Sequence, residues 1–71
     1  MKAFLMNAMQ TKATIVIYYL DRHGKITQRY IRVLQLTEDH VLAFCFYRKK
    51  VRTFKLENML SADKIRKRTG A

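Results

Sequence analysis

Apolar residues recur at Met1, Phe4, Leu5, Ala8 and Met9, while Lys2, Asn7 and Gln10 fall off that line. This is the rhythm of one helical face, and it predicts a helix over residues 2–11 whose Met-rich stripe packs on the rest of the chain. From Thr11 the rhythm changes. Residues 13–20, Ala-Thr-Ile-Val-Ile-Tyr-Tyr-Leu, are β-branched and aromatic, which suits a pleated surface. Asp21-Arg-His-Gly24 predicts a turn, with Asp21 bonding the backbone ahead and Gly24 free to take positive φ. A second strand is expected over 25–36, long enough to bend, and a polar turn over 37–40. A third strand over 41–48 and a fourth over 51–56 are expected, joined by Lys49 and Lys50. One helical turn over 57–60 and a short fifth strand over 60–65 complete the pattern. Connections of two to four residues imply antiparallel neighbours.

The expected fold is therefore mainly β with a short N-terminal helix, either a small bent antiparallel sheet or a partly closed barrel. Closure would remove exposed edges from a chain that has no proline to guard them. Residues 1–66 read as a single domain and 67–71 as a basic, frayed C-terminal tail. With 71 residues there is room for one small core and not for two. Hydrophobic residues make up 49%, so that core can form and a wholly disordered basic tail is excluded.

Charge changes the picture most. Lys and Arg number 15 against 5 Asp and Glu, a formal net charge of +10. Such a field attracts polyanions at long range, and nucleic acid is the commonest of these in a cell; the plain alternative is solubility alone. The single cysteine, Cys45, allows no internal disulfide, which suits a reducing cytoplasm. The N-terminus lacks the apolar run of a signal peptide, and the longest apolar run, Ile15–Leu20, is too short to cross a bilayer.

Strand phase points to particular residues. By period-two alternation Arg52 shares a face with Phe54 and Leu56, and Arg29 shares one with Thr27, Ile31 and Val33. A charge on an apolar face must pair or reach the rim, and five acids cannot pair with 15 bases. The two arginines either snorkel from strand ends or line an anion site, where guanidinium forks suit phosphate. Arg48, Lys49, Lys50, Arg52 and Lys55 place five bases within eight positions. Tyr18, Tyr30, Phe46 and Tyr47 could present rings beside them, the combination that holds single-stranded nucleic acid.

Catalytic chemistry is poorly represented. Glu38 and Asp39 are adjacent and point apart in extended chain, so they do not form an acid–base pair. His23 and His40 fall in turns, and with Cys45 they have no metal-ligand spacing. Cys45, between Phe44 and Phe46, reads as a small interior hydrophobe. Gly24 stands alone, so there is no phosphate loop, and one short helix cannot form a helix-turn-helix. No enzyme, cofactor or metal site is expected.

The order of these residues resembles the WYL domain of bacterial transcriptional regulators. The likeness runs from Leu5 to Ile65. It rests on Ala8-Met9 in the first helix, Tyr19 ahead of Gly24, then Arg29, Ile31, Leu34 and Leu36. It continues through His40-Val41-Leu42 and ends on Arg52, Phe54, Leu56 and Glu57. The naming triplet keeps only Leu42, Val33 stands where the family usually has Pro, and Asn58 where it has a base. The resemblance implies an SH3-like or Sm-like β-barrel with an N-terminal helix. It also implies a regulatory, ligand-sensing role through a basic patch, without the DNA-binding helix-turn-helix usual on the same chain.

Two readings emerge. In the first the chain is a regulatory binding module for single-stranded DNA, RNA or a nucleotide-like ligand, acting on a separate regulator or directly on nucleic acid. Its expected contacts are Arg29, Tyr30, Arg48, Lys49, Lys50, Arg52 and Lys55. In the second it is a protein-interaction module that pairs through an exposed sheet edge, with itself or with an acidic partner. Neither involves a membrane, since no basic amphipathic helix is visible.

Overall fold

The computed structural model describes residues 1–65. The basic tail expected over 67–71 lies outside the described residues, as does Arg66. Helix α1 spans Lys2–Thr11, and strands β1 to β5 span Thr14–Leu20, Ile26–Leu36, His40–Cys45, Lys50–Lys55 and Met59–Lys64. A single 3-10 turn, Leu56–Asn58, links β4 to β5.

Helix α1 buries Leu5 and Ala8 and lays Phe4 and Met9 against the core, as the periodicity predicts. It ends where Lys12 turns left-handed, at φ 58°. The Ala13 N–H then reaches the Ala8 carbonyl at 3.0 Å, closing a Schellman-type cap where glycine is the usual residue. The β1–β2 turn forms as its residues predict. One Asp21 carboxylate oxygen accepts the N–H of His23 at 2.8 Å and of Lys25 at 2.9 Å, and Gly24 takes φ 77°. The Lys25 N–H, foremost, holds the Asp21 carboxyl below its ordinary pKa, with the His23 N–H adding to it.

All neighbouring strands are antiparallel, in the order β4-β3-β2-β1-β5. One face is the core face: Ile15, Ile17, Ile31, Val33, Val41, Ala43, Cys45, Phe54 and Met59 join Leu5 and Ala8 of the helix. The β2–β3 register shifts between Val33 and Gln35, leaving Leu34 as an extra residue. That bulge restores Leu36 to the core side, opposite Val41, and bends the longest strand.

The sheet does not close through hydrogen bonds. Strands β4 and β5 each have one neighbour. It is nevertheless strongly curled. A flat sheet would put β1 and β4 roughly 14 Å apart, three strand spacings. Yet the rings of Tyr19 in β1 and Phe54 in β4 meet edge to face at 5.1 Å, and the Lys55 N–H donates to the Tyr19 hydroxyl at 3.0 Å. One side chain thus spans the gap that backbone pairing leaves open. The arrangement is a bent five-stranded sheet with a helix on its inner face.

Most boundaries fall within a residue or two of the sequence expectation, and the larger difference is at the β3–β4 connection. Strand β3 stops at Cys45 instead of Arg48, because Phe46–Lys49 form the turn. Lys50 is correspondingly the first residue of β4 and not part of the connection. The reversal is made by Lys49, at φ 55°, whose N–H reaches the Cys45 carbonyl at 2.7 Å. Among the described residues no helix is long and apolar enough to cross a membrane.

Candidate nucleic-acid interface

The register decides which basic residues can act together. Cα partners Ile31↔Cys45 and Cys45↔Lys50 place Lys50 on the core side of the sheet, two strands from Ile31. Arg29, two residues before Ile31, lies on that same side, opposite Ile17. It sits beyond the end of β3, where the chain has already entered the Phe46–Lys49 turn. That turn brings Tyr47 to Arg29: the guanidinium carbon lies 5.6 Å from the ring centroid. Tyr47 is 76% exposed, so the ring keeps open surface beyond its contact with Arg29. Thr27, Gln28, Arg29, Tyr47 and Arg48 line a shallow hollow of about 330 Å³ at this corner.

Of the seven expected contacts, Arg29, Arg48, Lys49 and Lys50 gather at or beside the β3–β4 turn. Arg52 is in phase with Phe54, as expected, and opposite Ala43 on the same side of the sheet as Arg29. By strand geometry its Cα is on the order of 16 Å from that of Arg29. It therefore extends the basic surface along β4 and does not share a pocket with Arg29. Arg29 is half-buried and Arg52 exposed. Among the described residues the one contact at ion-pair distance joins Asp39 to His40, so neither arginine has a carboxylate within 4 Å.

Tyr30 and Lys55 lie elsewhere. Tyr30 follows Arg29 directly and so projects from the opposite, outer face, where its Cα partner is Val16. Tyr18 and Phe46 are on that outer face too. Lys55 is at the far end of β4, opposite His40. There, with Lys2, Glu38, Asp39, His40, Leu56 and Glu57, it lines a second open hollow of about 590 Å³. Of the four rings expected beside the charge, Tyr47 alone meets Arg29. Tyr47 was the residue missing from the expected contacts. The sequence offers it as one ring among four, and the pairing singles it out, since continuing Ile31↔Cys45 by two residues sets Arg29 against Tyr47.

The far hollow is different in charge. Three of the chain's five acids, Glu38, Asp39 and Glu57, line it. Asp39 accepts a hydrogen bond from His40 Nδ1 at 2.7 Å, and that bond is the main reason its carboxyl lies below the ordinary value. No group of side chains suited to hold a metal occurs among the described residues. Positive charge is thus uneven along the domain: bases gather around the turn at one end of β3, while at the other end Lys2 and Lys55 offset two of the three acids.

No protein-family model matches the chain, and no curated protein does. Among solved structures it is similar to the proteasome accessory factor B/C (PafBC) of Arthrobacter aurescens. The TM-score is 0.77 at 21% identity, over 87% of this chain and 10% of that one. The chain thus corresponds to about a tenth of the length of PafBC. At this identity the likeness concerns the fold alone, and it supports a WYL-like one.

Proposed function

We propose that this chain is a non-enzymatic regulatory module of the WYL type, which binds single-stranded nucleic acid or a nucleotide-like anion through its basic corner. The observation that carries the reading is the half-buried Arg29 held against the exposed Tyr47 ring beside Arg48, with no carboxylate near it. An unpaired guanidinium with fixed orientation suits a phosphate, and an exposed ring beside it suits a base. The spread from Arg29 through Lys50 to Arg52 favours an extended polyanion over a single phosphate. The fold likeness to PafBC supports a regulatory setting, and by this reading the module works in the bacterial cytoplasm in transcription regulation. Pairing through the β4 edge is less supported, since Lys50, Arg52 and Lys55 stand exposed on that strand and charges of this kind blunt edges.

The test is fluorescence anisotropy of a short single-stranded oligonucleotide across a salt series, with the matching duplex beside it. Tyr47→Ala should weaken single-strand binding by about 1–3 kcal/mol, the worth of one stacked base. Arg29→Ala should lower the slope of log affinity against log salt by about 0.7, the share of one phosphate contact on a single strand. Unchanged affinity in both variants, or equal binding of both strand forms that vanishes by physiological salt, would sink the proposal.

A further inference from the structure

The outer face of the sheet, away from helix α1, forms an apolar layer that the basic corner does not use. Row by row across the strands, Phe46, Tyr30, Val16 and Asp63 lie side by side, and next to them Val51, Phe44, Arg32 and Thr14. The Phe44 and Phe46 rings pack edge to face at 5.1 Å. Val16 is 6% exposed yet lies outside the core cluster under the helix, so its neighbours on this face cover it. Tyr30 beside it, Phe46 one strand further and Val51 on β4 are left 45%, 42% and 50% exposed. A contiguous apolar patch of this kind marks an interaction surface.

Charge says what fits. On a chain of net charge +10, these two rows hold one cation, Arg32, and one anion, Asp63. Phosphate has little to grip there. A second copy, by contrast, would be repelled at its basic corner and can approach closely where charge is balanced. An isologous contact also needs a patch complementary to itself, and one cation on the central strand with one anion on the edge strand β5 meets that need. Among the described residues neither Arg32 nor Asp63 has an ion-pair partner within the chain.

We propose that the outer face is a homodimer interface, two copies stacking sheet to sheet over Val16, Tyr30, Phe44, Phe46 and Val51, with Arg32 of each copy answering Asp63 of the other. This does not rest on the nucleic-acid reading. The two even respond oppositely to salt. Salt weakens polyanion binding, whereas it screens the repulsion between two +10 chains and strengthens the dimer.

Sedimentation velocity over a concentration series, at low and high salt, is the experiment. The mass should rise with concentration from 8.5 kDa toward twice that value, more readily at high salt. Val51→Lys, at an exposed position that leaves the core intact, should weaken the dimer by at least about tenfold, since it buries two unpaired charges. Asp63→Lys should weaken it likewise, and adding Arg32→Glu to Asp63→Lys should restore most of the loss. A single-chain mass up to about 1 mM at both salt concentrations overturns the proposal. So does a dimer that Val51→Lys leaves unchanged, or one that the charge swap fails to rescue. Loss of oligonucleotide binding in Val51→Lys without any dimer would give the face to nucleic acid and overturn it as well.

Discussion

Replacing Tyr19 with Phe removes one atom, and that atom joins two strands which share no backbone pairing. The Tyr19 hydroxyl accepts the Lys55 N–H at 3.0 Å, and no other described bond ties β1 to β4. Loss of a hydrogen bond of this kind costs about 0.5–1.5 kcal/mol. In a domain this small 1 kcal/mol lowers the thermal midpoint by roughly 4–8 °C, so Tyr19→Phe should melt several degrees early by circular dichroism. The ring contact with Phe54 remains in that variant. Removing it as well, in Tyr19→Leu, should cost about a further 0.5–1.5 kcal/mol, the ring–ring contribution. A cycle with Phe54→Leu isolates that coupling. Amide exchange reports the same feature locally. The Lys55 amide should be protected in the parent chain and exchange much faster in Tyr19→Phe. A midpoint within about 1 °C of the parent, together with unchanged Lys55 exchange, would refute side-chain closure of the sheet.

Three further outcomes are expected. Gly24→Ala meets no atom within 4 Å, so its cost should be the backbone strain of φ 77° alone, about 1–2 kcal/mol by chemical denaturation. Lys12→Gly should raise stability by up to about 1 kcal/mol, because Lys12 occupies the left-handed cap position at φ 58°, and a fall would refute the cap assignment. Asp21 and Asp39 have lowered pKa values in the folded chain, so their contribution is present above the unfolded value near 3.8 and is lost as pH falls through the folded values. Stability should therefore drop below about pH 4, and Asp21→Asn with Asp39→Asn should flatten that limb of the pH profile.

Much of the fold was legible because each element carries a local signal. The helix is written in the spacing of Phe4, Leu5, Ala8 and Met9, and the first turn in Asp21 and Gly24. The end of β3 was not legible, since Phe46 and Tyr47 look like strand and the turn is made by Lys49 in a conformation that lysine does not advertise. The bulge at Leu34 was equally silent, as an extra residue in an apolar run changes no composition. The in-phase positions of Arg29 and Arg52 could be read from alternation alone, because the bulge in β2 comes after Arg29 and β4 has none. Which ring meets Arg29 could not, for that depends on pairing across strands. Tyr30, its neighbour in the chain, for that very reason projects from the opposite face of the sheet.

The separation of acids and bases along β3 also bears on how the domain meets another molecule, before any contact forms. A uniformly positive sphere would be drawn to a polyanion in any orientation and would then have to roll. Here the end bearing Glu38, Asp39 and Glu57, where Lys2 and Lys55 offset two of the three negative charges, is drawn only weakly, while the end bearing Arg48, Lys49 and Lys50 is pulled forward. The torque acts within about one Debye length, roughly 8 Å at physiological salt, so the last stage of the approach is aimed. Most encounters then arrive turn first, and fewer collisions are spent on faces that cannot hold on.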